Sequence, residues 1–103
     1  MLFIETPVFI EDVQILLSDD EYRRFLQYLA DNPTSGEVFQ DTGGLRKVRW
    51  ACGGKGRRGG VWIIYYYKVS DLQIRLLLIY KKGVKDDLSA KEKQILRAMN
   101  ERW

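Results

Sequence analysis

A chain of 103 residues, 46% apolar and 30% charged, has the composition of an ordinary soluble globular domain. It is long enough for one modest core, and a single domain over residues 1–103 is expected. No apolar run approaches the roughly 20 residues of a membrane-spanning helix, so no membrane association is expected. The single cysteine, Cys52, leaves no internal disulfide, and with no histidine a structural zinc site lacks its usual ligands.

The segment MLFIETPVFIEDV carries acids early and no basic leader, so it does not read as a secretory signal, and the cytoplasm is the expected location. The net charge of +3 is unevenly spread. Residues 1–40 hold eight acids against two bases, and residues 41–103 hold fifteen bases against six acids. Such polarity predicts a basic working face, although charges also simply solvate a surface.

In chain order, residues 2–5 (LFIE) predict a first strand. Thr6-Pro7 then starts a helix, with Thr6 as N-cap and Pro7 at the first helical position. Val8, Phe9, Val13, Leu16 and Leu17 are expected to face inward. Ser18-Asp19-Asp20-Glu21 is a capping box, and Tyr22, Phe25, Leu26 and Leu29 follow at helical spacing. Asn32-Pro33 stops this second helix. Residues 34–44 read as a connection ending in Gly43-Gly44.

From Leu45 to Ala51 the chain alternates as a strand, with Leu45, Lys47, Arg49 and Ala51 on one face and Arg46, Val48 and Trp50 on the other. Residues 52–60 are glycine-rich. Val61 to Lys68, β-branched and aromatic, is the strongest strand signal. A turn at Ser70-Asp71 leads to a strand over Gln73–Tyr80. Ser89-Ala90-Lys91-Glu92 repeats the capping box and opens a last helix with Ile95, Leu96 and Met99 as its apolar stripe. The predicted order β-α-α-β-β-β-α is an α+β domain, a mainly antiparallel sheet with helices packed on it.

The chemistry concentrates in GGLRKVRWACGGKGRRGGVWIIYYY (residues 43–67), which has six bases and no acid. Within it, Gly54 to Gly59 matches G-x-G-x-x-G. A dinucleotide site needs a helix after that loop, and here a strand follows. A kinase glycine loop joins two strands, but this chain lacks the length and the histidine of the catalytic loop. Two readings remain: a solvated hairpin loop, or a loop that contacts phosphates through Lys55, Arg57 and Arg58 and its glycine amides. A groove lined by Lys47, Arg49, Lys81 and Lys82 would bind a phosphodiester; alternatively, those lysines guard a solvent-facing strand edge. Trp62 and Tyr66 are candidates for stacking on bases, against the commoner role of half-buried core aromatics.

The run TGGLRKVRWACGGKGRRGGVWIIYYY, followed by LLLIYKKGVKDDLSAKEKQIL, resembles the HigB-type branch of the RelE/ParE toxin superfamily. Members share GG-L-R-K-x-R, a basic K-G-x-R-G-G loop, I-I-Y-Y, a Y-x-K segment, and D-D-L before a terminal helix. The resemblance covers nearly the whole chain, including SDDEYRRFLQYLADNP. It implies a RelE-like fold and a ribosome-dependent mRNA endonuclease acting in the ribosomal A site. It further implies neutralisation by a cognate helix-turn-helix (HigA-type) antitoxin and chemistry without metal or cofactor.

In that chemistry the RNA 2′-hydroxyl attacks the adjacent phosphate, so a proton acceptor, cations at the phosphorane and a proton donor for the 5′-oxygen are needed. By position, Lys47 and Arg49 match the paired basic strand residues, and Lys82 matches the basic residue after the last strand. Proton transfer is therefore expected of Lys47 and phosphate contact of Arg49 and Lys82, with Arg58 expected to join them as compensation for the arginine absent at Trp62. RNA or ribosome contact is expected of Arg46, Lys55, Arg57, Trp62, Tyr66, Lys81 and Lys85. Two departures stand out: Trp62 occupies a place where relatives often have arginine, and Asp87-Leu88 falls where some relatives carry a catalytic tyrosine. The alternative expectation is a catalytically weakened toxin-like module that binds RNA, ribosome or antitoxin.

Overall fold

The computed structural model describes residues 1–51, 60–84 and 87–103. The candidate residues Lys55, Arg57, Arg58 and Lys85 lie outside them.

Strand β1 (Leu2–Glu5) leads into helix α1 (Pro7–Leu16), and α2 (Asp19–Asp31) follows directly. Both helix starts are the predicted ones. The Thr6 hydroxyl accepts the Phe9 N–H at 3.2 Å and donates to the Leu77 carbonyl at 2.9 Å, so one buried side chain both caps α1 and ties it to the sheet. Ser18 and Glu21 form the reciprocal capping box of α2.

Four further strands follow: β2 (Glu37–Val38), β3 (Arg46–Trp50), β4 (Val61–Lys68) and β5 (Gln73–Lys81). A 3₁₀ turn (Val69–Asp71) joins β4 to β5, and α3 (Ala90–Glu101) ends the chain behind the Ser89–Glu92 capping box. The sheet order is β1-β5-β4-β3-β2, antiparallel except for β1 beside β5. This is the expected α+β architecture with one addition. The two-residue β2 lies within the predicted 34–44 connection; both its residues are exposed, so no alternation marks it.

The sheet is covered on both faces. The α1–α2 pair crosses one face, where Phe9, Val13, Phe25 and Leu29 meet Val48, Ile63, Tyr65 and Leu76. Trp50 fixes α2 to β3 by edge contact with Phe25 at 5.4 Å and a tilted contact with Tyr28 at 5.5 Å. Helix α3 covers part of the other face, setting Leu96 against Leu45, Ile64 and Leu77. Burial of each such large side chain contributes about 1.5–3 kcal/mol.

A bulge between Ile64 and Tyr65 in the β4–β5 register inserts Leu77. Ile74, Leu76 and Ile79 therefore face α1–α2, while Leu77 and Leu78 both pack on the α3 side. Two apolar positions differ from the sequence reading. Val8 (42% exposed) and Ile95 (56% exposed) point outward, because the buried stripes run through Phe9–Val13–Leu17 and Leu96–Asn100.

Candidate functional site

Residues opposite one another in an antiparallel pair share a face. Lys47 pairs with Ile64 and Arg49 with Trp62, so the alternation places Lys47, Arg49 and Trp62 together on the α3 side of the sheet. Leu45 and Ile64 are sealed beneath α3, but Lys47 and Trp62 are only half-buried and Arg49 is exposed. An open cleft of about 290 Å³ lies here, lined by Ser35, Glu37, Lys47, Val48, Arg49 and Trp62.

Lys47 is held from three sides. Its Nζ sits 4.1 Å from the centre of the Trp62 ring, 5.8 Å from that of Phe39, and 3.8 Å from Asp87 Oδ1. Its side chain keeps only 16% exposure. A cation over an indole in a partly desolvated site is worth about 1–2 kcal/mol, enough to select one position for an otherwise mobile side chain. Trp62 thus serves as the platform beneath Lys47.

Asp87 also reaches Lys93 on α3, with Oδ2 to Nζ 4.0 Å, and Lys93 stands 5.3 Å over the Phe39 ring. Phe39 is placed by a tight turn in which the Thr42 hydroxyl donates to the Phe39 carbonyl at 2.9 Å and accepts the Leu45 N–H at 3.2 Å. The surroundings are therefore less one-sided than residues 43–67 imply. The fold brings Glu37 to the cleft and Asp87 to Lys47, both from outside that stretch.

Four other candidates lie apart from the cleft. Arg46 has the opposite alternation; its Nη1 donates to the Gly36 carbonyl at 2.8 Å and the Thr34 carbonyl at 3.2 Å, holding the 34–36 segment. Lys81 pairs with Val61, a residue of the α1–α2 core, because the bulge reverses the alternation at the end of β5. The predicted groove of Lys47, Arg49, Lys81 and Lys82 is therefore not a single surface. Lys82 follows β5 in a turn, its N–H bonded to the Gly60 carbonyl at 3.1 Å, and is absent from the described lining of the cleft.

Tyr66 shares the face of Trp62 but lies further along β4, 5.4 Å from the Arg75 guanidinium. Arg75 is buried, bonded to the Asn100 side chain and carbonyl and to Gln73, with Trp103 at 4.9 Å on its other contact. That arrangement clamps the end of α3 to the sheet, where a cation is favoured by the helix dipole.

Lys93, Phe39 and Glu37 are site residues that sequence reasoning missed, and Asp87, noted there only as a departure from relatives, proves to pair with Lys47. Lys93 carries a usable signal, since it lies three positions before Leu96 and so on the sheet-facing side of α3. No protein-family model matches this chain. Among the described residues no helix is long and apolar enough to cross a membrane, and no three potential ligands converge on a metal position.

Proposed function

We propose that the chain is an mRNA-cleaving toxin of the HigB-type branch of the RelE/ParE superfamily. It acts in the cytoplasm on mRNA in the ribosomal A site, and a cognate helix-turn-helix antitoxin restrains it. The observation that carries this reading is Lys47, held between the Trp62 ring and Asp87 with 16% exposure and sharing an open cleft with Arg49. A fixed amine beside a guanidinium suits transesterification of RNA. Lys47, its own proton first released to solvent, takes the proton of the attacking 2′-hydroxyl, and Arg49 meets the charge that grows on the non-bridging oxygens. The bond to the 5′-oxygen then breaks, leaving a 2′,3′-cyclic phosphate and a protonated 5′-hydroxyl. Water entering the open cleft supplies that last proton.

A second reading is a binding module without turnover. It is favoured by Trp62 in place of an arginine and by the acids Glu37 and Asp87, which lower the positive potential at the phosphate.

The test is purified protein added to ribosomes halted on a defined mRNA, with new 5′ ends mapped by primer extension. Cleavage in the A-site codon, reduced at least ~100-fold by Lys47→Met, is expected. Ribosome binding with no new ends establishes the second reading. Cleavage by Lys47→Met at the wild-type rate removes Lys47 from the chemistry.

A further inference from the structure

We infer that Lys47 and Lys93 form a phosphate clamp that Asp87 keeps occupied, and that an RNA phosphodiester enters by displacing this internal carboxylate. The inference deepens the proposed function and rests on the same cleft.

The two amines come from different elements, β3 and α3, and bracket one carboxylate: Lys47 Nζ is 3.8 Å from Oδ1, and Lys93 Nζ is 4.0 Å from Oδ2. Both also stand over the Phe39 ring, at 5.8 and 5.3 Å. A carboxylate presents two anionic oxygens to two cations much as a phosphodiester presents its two non-bridging oxygens. The groove between the amines therefore has the charge and the spacing for a phosphate.

Asp87 is aimed there by its own backbone, for Oδ1 accepts the Leu88 N–H at 2.8 Å. Yet its side chain is 58% exposed, so rotation into water exposes an already wet group at little cost. The amines differ: at 16% and 29% exposure they are backed by aromatic rings and are the fixed partners of the exchange. Lys93 also lines a second open cleft with Gln40, Asp41, Ala90, Gln94 and Arg97. A phosphate held by the pair therefore touches one residue from each cleft, Lys47 from the first and Lys93 from the second, and the strand passes from β3 across α3.

Asp87→Asn separates charge from structure, because the amide oxygen still accepts the Leu88 N–H. Binding of a fluorescent, uncleavable 2′-O-methyl RNA decamer is measured by anisotropy from low to physiological salt for wild type, Asp87→Asn and Lys93→Met. Removing the competing charge at this range is expected to tighten binding about 3–10-fold at low salt. Misfolding cannot mimic that gain. Lys93→Met is expected to weaken binding and to make the slope of log K against log salt shallower by about 0.7.

Asp87→Asn binding no tighter than wild type, Lys93→Met binding equal to wild type, or a decamer bound by none of the three overturns the clamp. If ribosomal mRNA is cut while Asp87→Asn gains no affinity, the clamp fails and the nuclease reading stands. If both variants shift as expected while no mRNA is cut, the clamp stands and the nuclease reading fails.

Discussion

Tyr65→Phe probes how the core holds the rim of the cleft. Tyr65 is fully buried, and its hydroxyl accepts the Gly36 N–H and donates to the Pro33 carbonyl, both at 2.9 Å. Phenylalanine keeps the ring and opens almost no cavity, so the change isolates two hydrogen bonds. Gly36 is buried, and its orphaned N–H costs roughly 1–3 kcal/mol; the half-buried Pro33 carbonyl reaches water more easily and adds about 0–1 kcal/mol. The expected loss is therefore about 2–3 kcal/mol. With an unfolding entropy of about 2.1 cal/mol/K per residue, each kcal/mol lowers Tm by roughly 5 °C in a chain of this length. Thermal unfolding followed by circular dichroism should show Tm lower by about 10–15 °C, and amide exchange should accelerate at Gly36 and Val38. Tyr67→Phe, half-buried two residues along the same strand, is the control and should change stability by under about 0.5 kcal/mol. A Tyr65→Phe protein melting with the control would refute the claim that this hydroxyl anchors the 33–36 segment, and with it the account of how Ser35 and Glu37 are held at the cleft.

Two glycines test strain against clash. Gly60 has φ +78, and a Cβ there would lie 2.0 Å from the Trp50 carbonyl oxygen, so Gly60→Ala should cost about 2–4 kcal/mol in urea unfolding. Gly83 has φ +94 with nothing within 4 Å, and Gly83→Ala should cost only about 1 kcal/mol; equal effects would show that sterics at Trp50 do not matter. The third prediction concerns alkaline pH. Burial and the 2.5 Å hydrogen bond to Glu5 raise the Tyr22 phenol well above its ordinary 10.0. A raised value means that the native state binds the proton more tightly, so the stabilisation is complete below pH 10 and falls as pH rises beyond it. Between pH 10 and 11, wild type should lose up to about 1.4 kcal/mol more per pH unit than Tyr22→Phe. Parallel pH profiles of the two proteins would contradict this.

Helix starts were legible because capping is local: Thr6, Ser18 and Ser89 each lie within three residues of the groups they satisfy. That Lys47 and Arg49 share one strand face was legible too, since alternation decides it, whereas Trp62 joins them only through the β3–β4 register. What failed was set by contacts distant in sequence. The bulge at Leu77 reverses the alternation of β5 and moves Lys81 to the other face, and nothing in QIRLLLIYK marks where the extra residue falls. Arg46 looks like its neighbours in a basic run, but the open carbonyls of Thr34 and Gly36 claim it. Asp87 and Glu37 enter the site only through the fold, so a stretch read as free of acid meets two carboxylates in space. The buried Arg75 gave no warning, because its partner Asn100 lies 25 residues away.

The placement of β1 has a consequence for synthesis. Leu2 pairs with Gln73, and Thr6 bonds to Leu77 across 71 residues of chain, so the first strand cannot dock until the fifth has left the ribosome. Helices α1 and α2 emerge early with their caps complete. Phe9, Val13, Phe25 and Leu29, however, have no sheet to cover until β3, β4 and β5 exist. The nascent protein thus carries an exposed apolar surface until the last of these strands is made, a state that favours chaperone binding. The cleft is assembled in the same late step, because Lys47 waits for Trp62 from β4 and for Asp87 beyond β5.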